Sequence, residues 1–269
     1  MAERMLDAIR DTTNKYKLGD PDQSRVTNEQ HALARLYALL HDVAHVPFGH
    51  TLELRIFEPH DNNQGRFDQL LGPGSAIGKL IKTGLSPELY ERLCKIILTG
   101  KTAKLHNGDE FIFHLISNTV CADLLDYILR DSFFCNLDIN ISLRFMNYLY
   151  LGEADVKIPE GGNNPPKTEK RRRPLVRLWK DNERELRRDI LTDLGRLLEA
   201  RYMIAERVYF HRSKITAGAM LGRAVQEEVK LGALSESQLF QHTDDTLVYH
   251  LAHNAKAKIA KDLATAEKL

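Results

Sequence analysis

Apolar residues with helical spacing lead directly into a histidine-rich segment, and this junction constrains the fold of the chain more than any other feature. The apolar side chains recur at intervals of three and four residues, as on one face of an α-helix: Leu33, Leu36, Tyr37, Leu40, Val43 and Ala44. Thr27 or Asn28 can cap the start of this helix, and Pro47 is expected to end it just after His45. The pattern predicts an amphipathic helix with polar groups at its C-terminal end.

Most of the remaining chain also has helical periodicity. Ser86 and Pro87 begin a helix that runs toward Leu98, with proline at its first position. Residues 111–129 are strongly apolar and are expected to contain a buried helix, and helical spacing returns from 182 to about 229. A capping box beginning at Ser235 precedes a last helical pair. The predicted fold class is therefore all-α in the main.

Residues 147–181 interrupt the helical pattern. Residues 148–151 and 174–179 could pair as two strands, because the segment 159–166 between them is rich in proline and glycine. The basic run Lys167–Arg173 is interpreted as a solvated loop of this β-hairpin arm. The chain is divided accordingly into a core, the arm and a C-terminal helical region: 1–146, 147–181 and 182–269.

Composition excludes several classes of protein. The 38 Lys and Arg residues balance 37 Asp and Glu residues, so no overall basic field favours nucleic acid. No apolar stretch is long enough to span a membrane, and the N-terminus lacks a signal region. Cys94, Cys121 and Cys135 lie in apolar surroundings without paired spacing, which predicts buried thiols in a reducing compartment. A cytoplasmic protein without membrane partners is expected.

Four of the eleven histidines fall between positions 41 and 60, beside one aspartate. These residues are His41, Asp42, His45, His50 and His60. A buried carboxylate requires a charged partner or a metal ion, and imidazole with carboxylate suits divalent transition metals. His41 and His45 are four residues apart and are expected to share a helix face. Although a single histidine is usually structural, this density favours a site that binds metal or phosphate.

A second polar group follows at helical spacing. Its members are Asp123, Asp126, Tyr127, Arg130 and Asp131, opposite an apolar face of Leu124, Leu125, Ile128 and Leu129. One interpretation is a solvated helix face with an ordinary Asp126–Arg130 ion pair. The other is a helix buried on most sides, whose carboxylates need partners in the histidine-rich segment. The pattern alone leaves both open.

Three blocks in order resemble the HD superfamily of metal-dependent phosphohydrolases, and most closely its dNTP triphosphohydrolases, which include the SAM- and HD-domain enzyme and bacterial relatives. The blocks are His41–His50, Ala122–Asp131, and Glu199–Tyr202 with Val208–Arg212. The resemblance covers most of the chain. It implies an HD-domain helical bundle with a small hairpin arm and a C-terminal helical extension.

The resemblance also implies the residues of a catalytic site. A divalent ion, whether Mn, Mg, Fe, Co or Zn, would be bound by His41, Asp42 and Asp123. The catalytic residues on the phosphate side would be His45, His50 and His60, one of them a proton donor, with Glu53 supporting a histidine. This division suits the chemistry, because a metal acidifies water while histidines transfer protons near neutral pH.

The substrate implied by the resemblance is a nucleotide, with hydrolysis of a dNTP to deoxynucleoside and triphosphate as the favoured reaction. Tyr127 and Asp131 match positions that hold the sugar, the aspartate at the 3′-hydroxyl. Arg201 matches an arginine that binds the polyphosphate, where a guanidinium fork suits phosphate oxygens. The family also implies a homo-oligomer formed in part by the helices of residues 182–230.

Two departures from the family pattern weaken the match. The first metal-ligand histidine of the family lies in an Arg-Phe-x-His segment, which this sequence lacks, so the match begins just after that ligand. His31 cannot replace it, because ten helical residues put it roughly 15 Å from His41 along the axis. Leu124 stands where the triphosphohydrolases often have a phosphate-binding lysine.

Two alternative functions therefore stay open. One is a phosphodiesterase or phosphomonoesterase of the same superfamily, which the loss of the lysine favours. The other is a catalytically degenerate nucleotide-binding protein, which the absence of the first histidine favours. A dedicated nucleic-acid-binding protein is disfavoured, since the basic run Lys167–Arg173 is short and the net charge is near zero.

Overall fold

A computed structural model describes residues 1–17, 25–53, 64–100, 103–105, 108–158, 166–180 and 185–265. The chain forms two compact units. The first comprises Met1–His41 and Leu80–Ala205, and the second comprises Asp42–Lys79 and Glu206–Leu269. The described residues are mostly helical with one small two-stranded sheet, so the prediction of a mainly α fold is confirmed.

The elements in chain order are as follows. The α-helices are α1 (Ala2–Tyr16), α2 (Asn28–Leu40), α3 (His50–Glu53), α4 (Gln64–Leu70), α5 (Ala76–Gly84), α6 (Pro87–Thr99), α7 (Glu110–Ile116), α8 (Ala122–Phe134), α9 (Arg188–Ile204), α10 (Arg212–Lys230), α11 (Glu236–Leu239), α12 (Asp244–Tyr249) and α13 (Lys258–Thr265). The strands are β1 (Leu149–Ile158) and β2 (Lys167–Val176). A 3₁₀-helix covers Arg144–Tyr148, and π-helical turns cover Ala205–Tyr209 and His250–Asn254. None of the described helices is both long and apolar enough to cross a membrane.

Helix α2 begins as the sequence predicts but ends earlier. Thr27 and Gln30 form a capping box, in which each side chain accepts a hydrogen bond from the other residue's backbone N–H. The helix ends at Leu40, before His45, because the chain tightens into a turn in which the backbone N–H of His45 bonds to the carbonyl of Asp42. The prediction that His41 and His45 share a helix face is therefore wrong.

The core of the first unit forms where α1, α2, α7 and α8 pack together. Its largest fully buried side chains include Phe111, Phe145, Met5 and Ile9. The apolar segment 111–129, which was predicted to contain a buried helix, holds most of α7 and the first part of α8. Asp123 and Tyr127 are thus on a separate helix that begins at Ala122.

The predicted hairpin is present, but its basic run forms strand β2 and is only partly solvated: Lys167 and Lys170 are exposed, whereas two of its arginines are buried. Strands β1 and β2 are antiparallel and pair from Leu149 with Val176 to Ile158 with Lys167. Arg171 and Arg173 are only 5% and 9% exposed. Both arginines are close enough to α7, against which the strand packs, to act electrostatically on its His114. Burial is tolerated because Arg171 donates to Glu169 and Glu110 attracts Arg173.

The second unit has its own apolar core. Its buried members come from α3, α10, α11, α12 and the segments that follow, and they include Val46, Leu52, Val225, Leu247 and Leu251. The predicted capping box at Ser235 is present with Gln238 and begins α11. Helix α3 is therefore anchored in this core through Leu52.

The cysteine prediction needs one correction. Cys121 is buried at the start of α8, where its sulfur accepts a hydrogen bond from the backbone N–H of Leu124. Cys94 is partly buried, whereas Cys135, at the end of α8, is exposed. None of these three cysteines is in a disulfide bond. Cys135 escapes burial because α8 ends there, beyond the apolar face that packs into the core.

Candidate functional site

His41 caps the C-terminal end of α2, and the backbone of the same helix holds its ring. Its Nδ1 lies 3.0 Å from the carbonyl oxygen of Ala38. Because a carbonyl oxygen can only accept, Nδ1 must donate, and a neutral ring then has its lone pair on Nε2. Metal-ligating histidines are commonly oriented in this way, with one ring nitrogen bonded to a backbone carbonyl.

Asp123, in the first turn of α8, faces that second nitrogen. Its Oδ1 lies 3.7 Å from His41 Nε2, which is longer than a hydrogen bond. Two acceptors face each other here, so the arrangement needs either a proton on Nε2 or a cation between the atoms. Ligand atoms each about 2.0–2.2 Å from one zinc-like ion can be up to about 4.4 Å apart. His41 and Asp123 therefore fit a shared divalent ion.

Asp42 follows His41 directly along the chain and is the first residue of the second unit. Its Oδ1 lies 3.6 Å from Nε2 of His45, and its side chain is about half exposed. The peptide bond fixes Asp42 beside His41, whatever partner its carboxylate has. Its role as a metal ligand stays a prediction.

Glu53 is a buried carboxylate that brings two of the predicted catalytic histidines together. His45 Nδ1 lies 3.2 Å from its Oε1 and His50 Nδ1 lies 3.5 Å from its Oε2. The two imidazole rings are 4.5 Å apart between centroids and almost perpendicular. The ligand atoms of the three residues lie within 4.8 Å of one another, so they could also hold a metal ion.

The contacts of Arg66 distinguish between two roles for Glu53, which are to orient the two histidines or to bind a metal ion with them. Its Nη1 donates to Glu53 Oε1 at 2.9 Å, and both side chains are 1% exposed. The guanidinium also bonds to Glu236 at 2.8 Å through Nε. A buried guanidinium already compensates the charge of Glu53, so a cation bound there would meet electrostatic repulsion. The arrangement favours Glu53 as the residue that orients His45 and His50 through their Nδ1 atoms.

Sequence reasoning missed Arg66. It lies outside the three family blocks, and nothing in its local pattern distinguishes it from a surface arginine of a short helix. The signal that could have led to it is Glu53 itself: a carboxylate next to the apolar Leu52, in the core of the second unit, requires a cationic partner.

Tyr127 and Arg201 are brought together by the packing of α8 against α9. Burial raises the pKa of the Tyr127 hydroxyl above its usual value, while the nearby Arg201, which hydrogen-bonds to it, acts in the opposite direction. The phenol is therefore protonated at neutral pH and can both donate and accept. Two residues predicted to hold different parts of one substrate are neighbours in the structure.

The remaining polar residues of α8 are divided between the two interpretations of its polar stripe. Asp126 and Arg130 form an exposed ion pair at 2.6 Å, as the solvated-face interpretation predicts. Asp131 lies 3.3 Å from Nε of Arg130, beside that pair. Leu124 is buried on the opposite face and is turned away from the stripe. Leu129, expected on the apolar face, is partly exposed.

Two further histidines complete the comparison with the sequence. His60 lies outside the described residues, so its catalytic role stays a prediction. His31 contacts Glu3 of α1, with its Nε2 3.2 Å from the carboxylate. This contact is consistent with the expectation that His31 cannot replace the first metal-ligand histidine.

Comparisons with known proteins support the fold. No protein-family model matches the chain. The uncharacterised protein MJ1154 of Methanocaldococcus jannaschii is 25% identical over 225 residues, which are 81% of this chain and 39% of that protein. The crystal structure of a phosphohydrolase, BT4208, from Bacteroides thetaiotaomicron matches with a TM-score of 0.55 and 17% identity, over 98% of this chain and 62% of that one.

These matches limit what can be transferred. At 17% identity, the likeness to the Bacteroides phosphohydrolase shows a shared fold. The chain spans less than two thirds of the length of either protein. The fold is thus one that a phosphohydrolase uses, and the function of this chain must be argued from its own residues.

Proposed function

We propose that this chain is a metal-dependent phosphohydrolase that acts on a nucleotide, with hydrolysis of a dNTP to deoxynucleoside and triphosphate as the favoured reaction. His41, Asp42 and Asp123 would bind the divalent ion. When bound, such an ion polarises a phosphoryl oxygen and acidifies water. The shared fold with a phosphohydrolase is consistent with this class of reaction.

The observation that carries the proposal is the pairing of His41 with Asp123. The Ala38 carbonyl fixes the tautomer of His41, and the Asp123 carboxylate lies 3.7 Å from its second nitrogen. Nitrogen and oxygen ligands at this spacing suit Mn, Fe, Co or Zn. Asp42, held next to His41 by the chain, would supply the third ligand.

His45 and His50 would handle protons during the reaction. Water attacks the α-phosphorus, the bond from phosphorus to the 5′ oxygen breaks, and that oxygen needs a proton to leave as an alcohol. His50 suits the role of proton donor because its side chain is 69% exposed, whereas that of His45 is 18% exposed. Glu53 would hold both rings through their Nδ1 atoms, with His60 as a further residue of this group.

Tyr127, Asp131 and Arg201 would bind the substrate. The Tyr127 hydroxyl and the Asp131 carboxylate can hydrogen-bond to a sugar, and the guanidinium of Arg201 can bind a polyphosphate. Position 124, where triphosphohydrolases often have a phosphate-binding lysine, is a buried leucine in this chain. That departure favours the alternative of a phosphodiesterase or phosphomonoesterase.

We also propose that the protein forms a homo-oligomer. Large apolar side chains are exposed on α8 and α9, among them Phe133, Tyr202 and Leu198. Exposed apolar side chains of this size, where they form a patch, are typical of interfaces between protein chains. Gel filtration with light scattering tests this, and a monomer at all concentrations would contradict it.

The reaction is tested with a panel of dNTPs, NTPs, cyclic nucleotides and nitrophenyl esters, each with Mn, Mg, Fe, Co and Zn. Ion chromatography of the products distinguishes the candidates, because only the favoured reaction releases intact triphosphate. Release of triphosphate from any dNTP supports it, and hydrolysis of esters alone would support the alternative.

A pair of matched variants tests the site. Asp123→Ala should reduce kcat by at least about 100-fold, the loss typical of removing a transition-state interaction. Asp126 lies one turn further along the same helix in an exposed ion pair, so Asp126→Ala should retain activity. Equal activity of the two variants would contradict the proposed metal site, and nucleotide binding without any hydrolysis would indicate the degenerate protein.

A further inference from the structure

A groove in the second unit lies along one side of α10 and has a volume of about 340 Å³. This is within the range of about 300–1,000 Å³ that is typical of small-molecule sites. Its walls are mainly apolar and include Phe48, Leu221, Val248 and Leu251. The groove is separate in chemistry from the histidines of the proposed active site, because its lining contains no histidine or carboxylate among the described residues.

The walls of the groove are built from fixed parts. Phe48 adopts a left-handed backbone conformation with φ of 61°, and its N–H donates to Asp244 Oδ1 at 2.8 Å. A Cβ on Gly218 would lie 2.8 Å from Cγ2 of Thr51, so glycine is required for this close approach of α10 to α3. The floor at Leu251 is fully buried, whereas Val248 at the rim is 38% exposed.

The charge of the groove is concentrated at one end. Lys214 is the one charged side chain among the described residues that line it, and it is exposed. It lies in the first turn of α10, where the helix dipole adds positive potential. Asp244, whose Oδ1 accepts a hydrogen bond from the N–H of Phe48, is not among the residues that line the groove.

The residues of α10 that line the groove run from Lys214 to Ala224, and ten residues at about 1.5 Å each correspond to roughly 15 Å along the helix. A cationic end and an apolar body of this length match a single-chain amphiphile with an anionic head. A compact polar metabolite would leave the apolar walls in contact with water.

We propose that this groove binds a linear amphiphilic anion of the medium-chain fatty-acid type. Its carboxylate pairs with Lys214, and its alkyl chain lies along α10 against Phe48, Leu221 and Leu251. Because Phe48 and Thr51 flank His50 in the chain, the site adjoins the catalytic segment without using a residue of the proposed chemistry. The proposal does not depend on the phosphohydrolase reaction.

The test is isothermal titration of the full chain with decanoate and decyltrimethylammonium, both below their micelle concentrations, and with decanol below its solubility limit. Decanoate should saturate a single site and bind about fivefold more tightly than decanol, the difference expected for one exposed ion pair. The cation should bind most weakly. Equal affinity for all three, or no saturable binding of decanoate, would overturn the proposal.

Matched variants locate the ligand. Lys214→Gln should weaken decanoate binding about fivefold and leave decanol binding unchanged. Lys230→Gln, at the other end of α10 in an ion pair with Glu227, should change neither. Ala217→Trp fills the groove from an exposed position and should abolish binding of both ligands. Because the comparison of the two lysine variants stands without Ala217→Trp, misfolding of the latter does not weaken the test.

Two other occupants are distinguished by the same variants. Binding to anionic phospholipid vesicles without binding of free decanoate would indicate a membrane surface and overturn the proposal. A dimer that dissociates in Ala217→Trp, again without decanoate binding, would indicate a second copy of the chain in the groove and overturn it as well.

Discussion

The ion pair of Glu53 with Arg66 gives the sharpest stability prediction. Both side chains are 1% exposed, and Nη1 of Arg66 lies 2.9 Å from Oε1 of Glu53. Arg66→Met keeps most of the aliphatic volume but removes the charge, which leaves the buried Glu53 carboxylate without its cationic partner. Loss of one member of a buried pair costs about 3–5 kcal/mol of unfolding free energy. Glu236 adds little to this, because its side chain is 42% exposed and water can solvate it.

Urea unfolding followed by circular dichroism at neutral pH measures this loss. The control is Arg130→Met, which removes an exposed ion pair with Asp126 that is even shorter, at 2.6 Å, and should cost less than about 0.5 kcal/mol. The double variant Glu53→Gln with Arg66→Met should be more stable than Arg66→Met, because no uncompensated charge remains buried. If Arg66→Met lowers the free energy of unfolding by less than about 1 kcal/mol, or if the double variant is no more stable than Arg66→Met, the reasoning is refuted.

Three further predictions concern pH, packing and capping. Burial, aided by two arginines of β2, lowers the pKa of His114 to about 4 from 6.5, so the unfolded chain takes up a proton before the folded one. Stability should therefore fall as pH drops from 6.5 toward 4, and less so in His114→Gln, as urea midpoints across that range will show. Gly218→Ala should lower Tm by the equivalent of about 1–2 kcal/mol, because the added Cβ would meet Cγ2 of Thr51. Adding Thr51→Ser to this variant removes Cγ2 and should restore the Tm. A double variant without recovery would contradict the contact. Thr27→Ala should cost about 1 kcal/mol in urea unfolding through loss of the α2 cap, and an unchanged midpoint would contradict the capping box.

The fold class could be predicted because apolar periodicity is a local signal. The starts of α2, α6 and α11 follow from Thr27, Ser86 and Ser235, whose side chains accept hydrogen bonds from nearby backbone N–H groups. The end of α2 was predicted too late, because Pro47 limits where a helix can continue and does not determine where a preceding turn tightens. Helix starts are thus better determined by local sequence than helix ends.

The basic run of β2 was misinterpreted for a reason that depends on tertiary structure. Charged residues in sequence usually indicate solvent, yet Arg172 lies over the ring of Phe111, with its centre 4.7 Å from the ring centroid, and bonds to Gln30. These partners are distant in sequence, so no local pattern could reveal them. The same argument explains why Arg66 was missed.

The candidate site could be predicted only in part. His41 and Asp123 lie together, as do Tyr127 with Arg201 and Glu53 with two histidines. The family blocks identified these residue types, but the geometry depends on side chains that the blocks do not contain. The Ala38 carbonyl, which sets the tautomer of His41, is a backbone group and has no signature in sequence.

Metal binding at His41 and Asp123 is the central claim, and equilibrium dialysis of the metal-stripped protein against Mn and Zn tests it most directly. The account predicts about one bound ion per chain for the wild type and for Asp126→Ala, with affinity reduced at least tenfold in Asp123→Ala. His41→Phe, which cannot ligate, should show the same loss. No saturable metal binding by the wild type, or binding that is unchanged in both Asp123→Ala and His41→Phe, would contradict the account.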